Sequence, residues 1–378
     1  MAYGFQIYYG VLEKYYGFDT DVRIPSGVKR IGRKAFIDCK NMKSVVISYG
    51  VTTIDDLAFC GCKKLSSIQL PDTVKRIGEG AFMHCSSLSS IRLPDRMTFI
   101  GNGAFYNCTG LTCAVIPEGI EEIAPALFQF CSELSSVTLP AGLKKIGSGA
   151  FHWCSSLTKI DIPDSVTEIG SSAFSCCTGL MEAALPCSVQ KLEERAFRNC
   201  RGLADDRGFV IRRGLLFSYH GDEDTISIPE DVTVIGEEAF YGNRTLRSVT
   251  IPENVKKIGA GAFGSCRGLT SVSIPGTVAE IGKKVFKKCE SLTSISIPDG
   301  VTRIPEEAFY GCSSLTLIFI PDSVRAIEDF AFGGCPRVTI VCSEGSFAHK
   351  YCVKKNAAFL SDYPGGAEQR ADAAEQPE

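Results

Sequence analysis

One 23-residue unit recurs along most of this 378-residue chain and limits what the chain can fold into. The unit is clearest at residues 157–179, LTKIDIPDSVTEIGSSAFSCCTG. Its phenylalanine recurs at steps of 23 residues with one step of 43, at positions 36, 59, 82, 105, 128, 151, 174, 197, 240, 263, 286, 309 and 332. Because one unit of this length cannot bury its own apolar side, neighbouring units must cover it. The repeat therefore predicts a solenoid.

The pattern inside the unit predicts its local structure. LTKIDIP alternates apolar and polar residues, as a half-buried strand does, and Pro163 closes the strand because proline cannot donate to a ladder. VTEIG predicts a second short strand, and SSAFSCC predicts a short helical turn. Acid pairs such as Glu306 and Glu307 precede this turn and suit a helix N-terminus. Pro305 stands where most units have glycine, so that position does not require positive φ.

Eighteen cysteines are present, and twelve of them lie three residues after the repeat phenylalanine; Asn243 takes this position in the one remaining unit. This position predicts an inward ladder of free thiols that act as small apolar side chains and weak donors to neighbouring carbonyls. The other six cysteines have no zinc spacing and the four histidines are scattered, so neither a metal nor a cofactor is predicted. Unpaired thiols favour a reducing environment.

The consensus LxxIxIPxxVxxIGxxAFxxC resembles the BspA-like (Treponema pallidum-type) leucine-rich repeat family, from residue 5 to about residue 360. The resemblance implies an α/β repeat solenoid: a right-handed superhelix with a parallel strand sheet, about thirteen 23-residue coils and two β-hairpin inserts. It also implies a bacterial protein, at the cell surface or secreted, that binds other proteins, some of them host or matrix proteins. The family's function lies in its surfaces, so no binding residue is carried over.

A hairpin pattern occurs twice and divides the chain. Phe5, Gly10 and Tyr15 match Phe209, Gly214 and Tyr219 at a constant offset of 204 residues, which accounts for the 43-residue step. We expect the first hairpin to cap the solenoid and the second to interrupt it. The predicted regions are an N-terminal β-hairpin cap (1–23), a block of eight coils (24–203), a β-hairpin insert (204–227), a block of five coils (228–340), a C-terminal cap of a short helix and a strand (341–360) and a disordered tail (361–378).

Composition narrows the function further. A net charge of −3 argues against nucleic acid as a partner, and no apolar run is long enough to cross a membrane. The start carries no signal peptide, so the chain is cytoplasmic if it is complete as written, whereas the family resemblance implies the surface. No fixed Ser, His and Asp arrangement is present, so we predict no catalytic residue and no enzyme. The oligomeric state is left open.

Four candidate binding residues follow the repeat phenylalanine on successive coils. Tyr106, Phe130, His152 and Trp153 are predicted to form a contiguous aromatic patch that anchors an interface or stacks on sugars. The alternative is that these rings pack along the edge of the coils and shield the core.

Two further candidates, Leu317 and Phe319, interrupt a strand face that is otherwise small and polar. They predict a contact point, unless the C-terminal cap covers them. Four lysines between residues 283 and 288 predict a solvated face or a site for an acidic partner.

Together these features favour a non-enzymatic leucine-rich repeat protein that binds a protein ligand, such as a bacterial surface adhesin for host or matrix proteins. An intracellular assembly scaffold and a glycan-binding module are the alternatives. The glycan-binding module would require the aromatic patch.

Overall fold

The computed structural model describes residues 4–361 of the chain. They form a parallel-strand solenoid of about 15 turns, each of about 23 residues, which confirms the predicted repeat fold. The chain forms two compact units, the first up to Arg212 with Phe217–Gly221 and the second Arg213–Leu216 with the residues from Asp222 onwards. Of the predicted tail at 361–378, only Ser361 lies within the described residues.

Most coils of the first unit contribute one three-residue strand and one two-residue strand, and each kind pairs in parallel with its own kind. The three-residue strands are Asp21–Arg23, Ser44–Val46, Ser67–Gln69, Cys113–Val115, Ser136–Thr138, Lys159–Asp161 and Glu182–Ala184. The two-residue strands are Arg30–Ile31, Thr53–Ile54, Arg76–Ile77, Phe99–Ile100, Glu122–Ile123, Lys145–Ile146, Glu168–Ile169 and Lys191–Leu192. A short 3-10 helix at Arg201–Leu203 ends this series.

The second unit repeats the arrangement and ends in a helix and a strand. Its longer strands are Thr225–Ser227, Ser248–Thr250, Ser271–Ser273, Ser294–Ser296, Leu317–Phe319 and Thr339–Cys342. Its two-residue strands are Val234–Ile235, Lys257–Ile258, Glu280–Ile281, Arg303–Ile304 and Ala326–Ile327. The helix Phe347–Lys355 is capped by the Ser346 hydroxyl, and the strand Phe359–Ser361 then pairs in parallel with Thr339–Cys342.

The two segments with the hairpin pattern form strands. Phe5–Tyr8 and Val11–Tyr15 pair antiparallel, and Leu12 then pairs in parallel with Ile31 of the first coil. The second copy consists of Phe209–Arg212 and Leu215–Tyr219. Both hairpins turn through two left-handed residues, the second of which is Gly10 or Gly214 with φ of 79° and 73°. Glycine suits this position because it has no Cβ to clash.

The predicted helical turn is wrong: the segment around each repeat phenylalanine is a series of tandem β-turns. Backbone N–H groups alternate between acceptors in their own coil and acceptors in the next coil. The Ala35 N–H donates to the Gly32 carbonyl at 3.1 Å, and the Phe36 N–H donates to the Ala58 carbonyl at 2.7 Å. An α-helix would direct every N–H along its own axis and leave neighbouring coils without these bonds. The tandem turns need left-handed residues, such as Lys34 and Asp38 with φ of 60° and 56°.

The acid pairs do not serve helix N-termini, since no helix follows them. Their carboxylates bind neighbouring coils instead: the Glu306 carboxylate pairs with Lys283 at 2.9 Å, and Glu307 pairs with Lys287 at 2.6 Å. The Glu328 carboxylate accepts the N–H of Glu306 at 2.9 Å. These contacts neutralise part of the lysine cluster, which makes it a solvated, ion-paired face.

The core is a column of stacked phenylalanine rings and a parallel ladder of thiols. In the first unit the repeat phenylalanines stack at centroid distances of 4.8–5.6 Å. The predicted thiol ladder is confirmed, because each cysteine from the second coil onwards donates to a phenylalanine carbonyl of the preceding coil, as Cys131 does to Phe105 at 3.1 Å. In the ninth unit, which has no cysteine at this position, the Asn243 side chain accepts the N–H groups of Thr245 and Leu246 at 2.9 and 3.0 Å.

Candidate functional site

The second residue after each repeat phenylalanine has a left-handed backbone in all thirteen coils, with φ between 56° and 78°. Glycine occupies this position in several coils, including Gly61 and Gly311. Phe130 and Trp153 occupy it with φ of 63° each. A bulky residue in this region is an outlier that costs about 1–2 kcal/mol relative to glycine. Two of the four predicted aromatic residues are therefore held at a local energetic cost.

The structure brings the four predicted residues Tyr106, Phe130, His152 and Trp153 together, and we call this surface the aromatic ridge. The Tyr106 and Phe130 centroids lie 5.4 Å apart with planes at 82°, and those of Phe130 and His152 lie 5.8 Å apart at 71°. His152 and Trp153 lie 6.2 Å apart at 88°. These are edge-to-face contacts, a preferred aromatic geometry. His84, outside the predicted set, extends the row at 5.6 Å from Tyr106.

Exposure argues against a role in shielding the core. Trp153 is 45% exposed, and the other three residues of the aromatic ridge are half-buried. Where glycine replaces the aromatic residue, at Gly61 and Gly311, the adjacent repeat phenylalanines Phe59 and Phe309 are still fully buried. A large side chain at this position is thus not required for core burial.

The aromatic ridge is uncharged at neutral pH. Burial lowers the pKa of His152, and the charge of Arg198 lowers it further. Within residues 4–361, the Nδ1 atom of His152 is buried without a hydrogen-bond partner. A neutral imidazole keeps the row apolar, which suits a partner that also presents apolar surface.

Leu317 and Phe319 lie on a strand of the second unit, whereas the aromatic ridge belongs to the first unit. Both are half-buried rather than fully exposed. Their strand lies between Ser294–Ser296 and Thr339–Cys342, with Phe319 opposite Val341.

The thiols are poor candidates for metal binding or nucleophilic chemistry. Burial raises the pKa of Cys131 and Cys200 to about 12, so the thiolate is scarce at neutral pH. No group of three His, Cys, Asp or Glu residues suited to a metal ion occurs in the part of the chain that the structure describes. Over the same residues, no helix is long and apolar enough to cross a membrane.

The exposed ring of Phe99 was not among the residues predicted from the sequence. It stands on a two-residue strand where most other coils carry a charged or polar residue, such as Arg76 and Glu122. A phenylalanine at this usually polar position is the signal by which the sequence could have predicted an exposed ring. The strand that carries Phe99 also fails to pair with the equivalent strand of the next coil, and no local sequence pattern reveals this.

A family profile described as BspA type Leucine rich repeat region matches residues 15–135, 98–205 and 215–339, with six copies. The chain therefore belongs to the BspA-type leucine-rich repeat family. A leucine rich cell surface protein from Faecalibacterium prausnitzii has a similar solved structure, with a TM-score of 0.62 and 32% identity over 94% of each chain. A leucine-rich repeat protein from Bacteroides ovatus is 28% identical, with a TM-score of 0.55, over 91% of this chain and 84% of that chain. No curated protein matches this chain.

Proposed function

We propose that this protein binds a protein ligand through the aromatic ridge. The observation that carries the proposal is the backbone of Phe130 and Trp153: both rings are held in left-handed positions that glycine fills at lower cost in other coils. The left-handed backbone itself occurs in every coil, so what distinguishes the ridge is that bulky rings fill this position on two successive coils. Leucine-rich repeat proteins are in general non-enzymatic modules that bind other proteins, which agrees with this role.

The edge-to-face geometry favours a protein over a glycan. Successive rings lie at 71–88° to one another, so they form a corrugated row rather than a flat platform for sugar rings. Aromatic rows of this type fit between the side chains of a protein partner and supply interface anchors.

We further propose that the protein acts as a surface adhesin whose ligands are host or matrix proteins. The similar protein from Faecalibacterium prausnitzii is described as a cell surface protein, which supports this location. The second candidate is an intracellular assembly scaffold, which the eighteen free cysteines favour, because free thiols persist in reducing compartments.

The test of the ridge uses the single tryptophan of the chain as its reporter. Purified matrix proteins are titrated against the protein, and we expect the emission of Trp153 to shift to shorter wavelength as the half-exposed indole is covered. Because Trp153→Ala lacks this reporter, its binding is measured by surface plasmon resonance beside the wild-type protein, and we expect it to be lost without a change in the far-UV circular dichroism. Met181→Ala is the matched control, since it removes an apolar side chain that is 73% exposed outside the ridge. Unchanged binding by Trp153→Ala would remove the ridge from the proposal.

The location is tested separately by protease treatment of intact source cells. Release of peptides from residues 80–160, while cytosolic markers stay inside, supports surface display. If these peptides appear only after lysis, the adhesin proposal fails and the scaffold proposal is pursued with cytosolic partners.

A further inference from the structure

A cleft of about 410 Å³ opens between two consecutive coils of the first unit. It lies where the two-residue strands Phe99–Ile100 and Glu122–Ile123 fail to pair, although each pairs with its other neighbour. In the coils on either side, the equivalent contact is a bond such as that from the Gly147 N–H to the Ile123 carbonyl at 2.8 Å. The cleft is therefore a local break in the ladder of two-residue strands, which is otherwise continuous over the described part of the first unit.

The break leaves backbone groups without partners. Among the described residues 4–361, no hydrogen bond joins the Ala124 N–H to the Ile100 carbonyl, or the Glu121 N–H to the Thr98 carbonyl. Ala124 precedes Pro125, and a residue before proline is restricted to extended conformations. Ala124 and Ile100 are both buried, so their unpaired groups favour a ligand that supplies the missing bonds.

Phe99 forms one wall of the cleft and is 40% exposed. Its ring already binds a cation, since the Arg76 guanidinium lies 4.0 Å from the ring centroid. Phe99 also lines a second cleft, which contains Arg76. The protein itself thus shows that this ring accepts a basic side chain.

The charge on the cleft is negative. Glu121 and Glu122 line it, and no lysine or arginine is among the described residues that do so. Because Glu122 is ion-paired with Lys145 at 3.4 Å, Glu121 supplies the net negative charge. A comparable break occurs in the second unit, where Pro305 has no N–H to donate, but there the Lys283–Glu306 ion pair at 2.9 Å bridges the two coils. No ion pair within residues 4–361 bridges the cleft beside Phe99.

We propose that this cleft binds an extended peptide segment that carries an arginine or lysine side chain. The cationic group packs on Phe99 and faces the Glu121 carboxylate, while the peptide backbone bonds to the Ala124 N–H and the Ile100 carbonyl. This is strand addition at an open ladder, with one side-chain pocket for specificity. The cleft shares no residue with the aromatic ridge, so the two proposals stand or fall separately.

The test measures binding of the peptide Gly-Ser-Arg-Gly-Arg-Ser, carrying a neutral fluorescent dye, by fluorescence anisotropy at about 50 mM salt. The comparison peptide has citrulline in place of both arginines, which keeps the shape and removes the charge. We expect the arginine peptide to bind with a Kd below about 1 mM and the citrulline peptide at least about tenfold more weakly. Phe99→Ala should weaken binding about fivefold, and Glu121→Gln about threefold with a smaller salt dependence.

Matched controls separate the cleft from general surface effects. Tyr49→Ala removes a ring that is 81% exposed outside the cleft, and Glu133→Gln neutralises an exposed carboxylate outside it. Neither should change the Kd. The proposal is overturned if the arginine peptide does not bind by 1 mM or binds no better than the citrulline peptide. It is also overturned if Phe99→Ala binds like the wild-type protein. Loss of peptide binding in Trp153→Ala alone would assign the peptide to the aromatic ridge and overturn the cleft.

Discussion

Replacement of Trp153 by glycine and by alanine should reverse the usual order of stability between these two residues. At most positions glycine is the less stable of the two by about 0.4–1 kcal/mol, because its unfolded chain has more conformational freedom. At position 153 the backbone φ is 63°, a region that costs alanine about 1–2 kcal/mol and glycine almost nothing. The two effects oppose each other, so Trp153→Gly should be more stable than Trp153→Ala by about 0.5–1 kcal/mol.

Both variants should still be less stable than the wild-type protein. The indole is 45% exposed, so a little over half of its surface is buried against the coil. Losing that contact costs roughly 2–3 kcal/mol, a value common to both variants that cancels when they are compared. The difference in unfolding free energy between the two variants therefore reports only the backbone contribution.

The assay is urea unfolding followed by far-UV circular dichroism, since both variants lack the only tryptophan. The matched pair is His152→Gly and His152→Ala, one residue earlier on the same surface but without positive φ. There glycine should be the less stable variant by about 0.4–1 kcal/mol. If the order at position 153 matches the order at position 152, the left-handed strain is absent and the main support for the aromatic ridge is lost.

Three further outcomes follow from the structure. Phe151→Ala should lower the free energy of unfolding by about 3–5 kcal/mol in the same assay, because this fully buried ring stacks between two others and its loss leaves a cavity. A loss below about 1 kcal/mol would show that the phenylalanine column is not tightly packed. Burial lowers the pKa of His220 to about 4, so stability should fall as the pH drops from about 6.5 to about 4, while the unfolded chain takes up a proton that the folded ring resists. After a discount for the partial exposure of the ring this amounts to about 2 kcal/mol, and a wild-type pH profile that coincides with that of His220→Gln would contradict it. Iodoacetamide at neutral pH should modify the exposed Cys113 and Cys187 in the native protein, while buried thiols such as Cys131 should react only after unfolding, as mass spectrometry of digested protein can show.

Much of the fold could be read from the repeat. Alternation in segments such as LTKIDIP predicts strands, and the cysteine three residues after each phenylalanine predicts the ladder, because both depend on one face of the chain being buried. The segment SSAFSCC could not be read in this way. Its residues suit a helical turn as well as tandem β-turns, and the bonds that decide between them go to another coil, as from Phe36 to Ala58.

The candidate site was also predictable from the sequence only in part. The sequence places Tyr106, Phe130, His152 and Trp153 in one column, since a 23-residue period brings equivalent positions together. It does not show that Phe130 and Trp153 have left-handed backbones or that the rings meet edge to face. These features depend on the turn geometry and on the contact between coils.

The cleft beside Phe99 could not be predicted from the sequence for a related reason. Pro125 is a local signal, but a missing hydrogen bond concerns two chain segments that are 24 residues apart, at Ile100 and Ala124. By itself the sequence determined the repeat length, the inward residues and the family, because these follow from periodic burial along one chain. The tertiary structure alone decided where backbone is strained and where neighbouring coils separate, because both result from hydrogen bonds between residues distant in sequence.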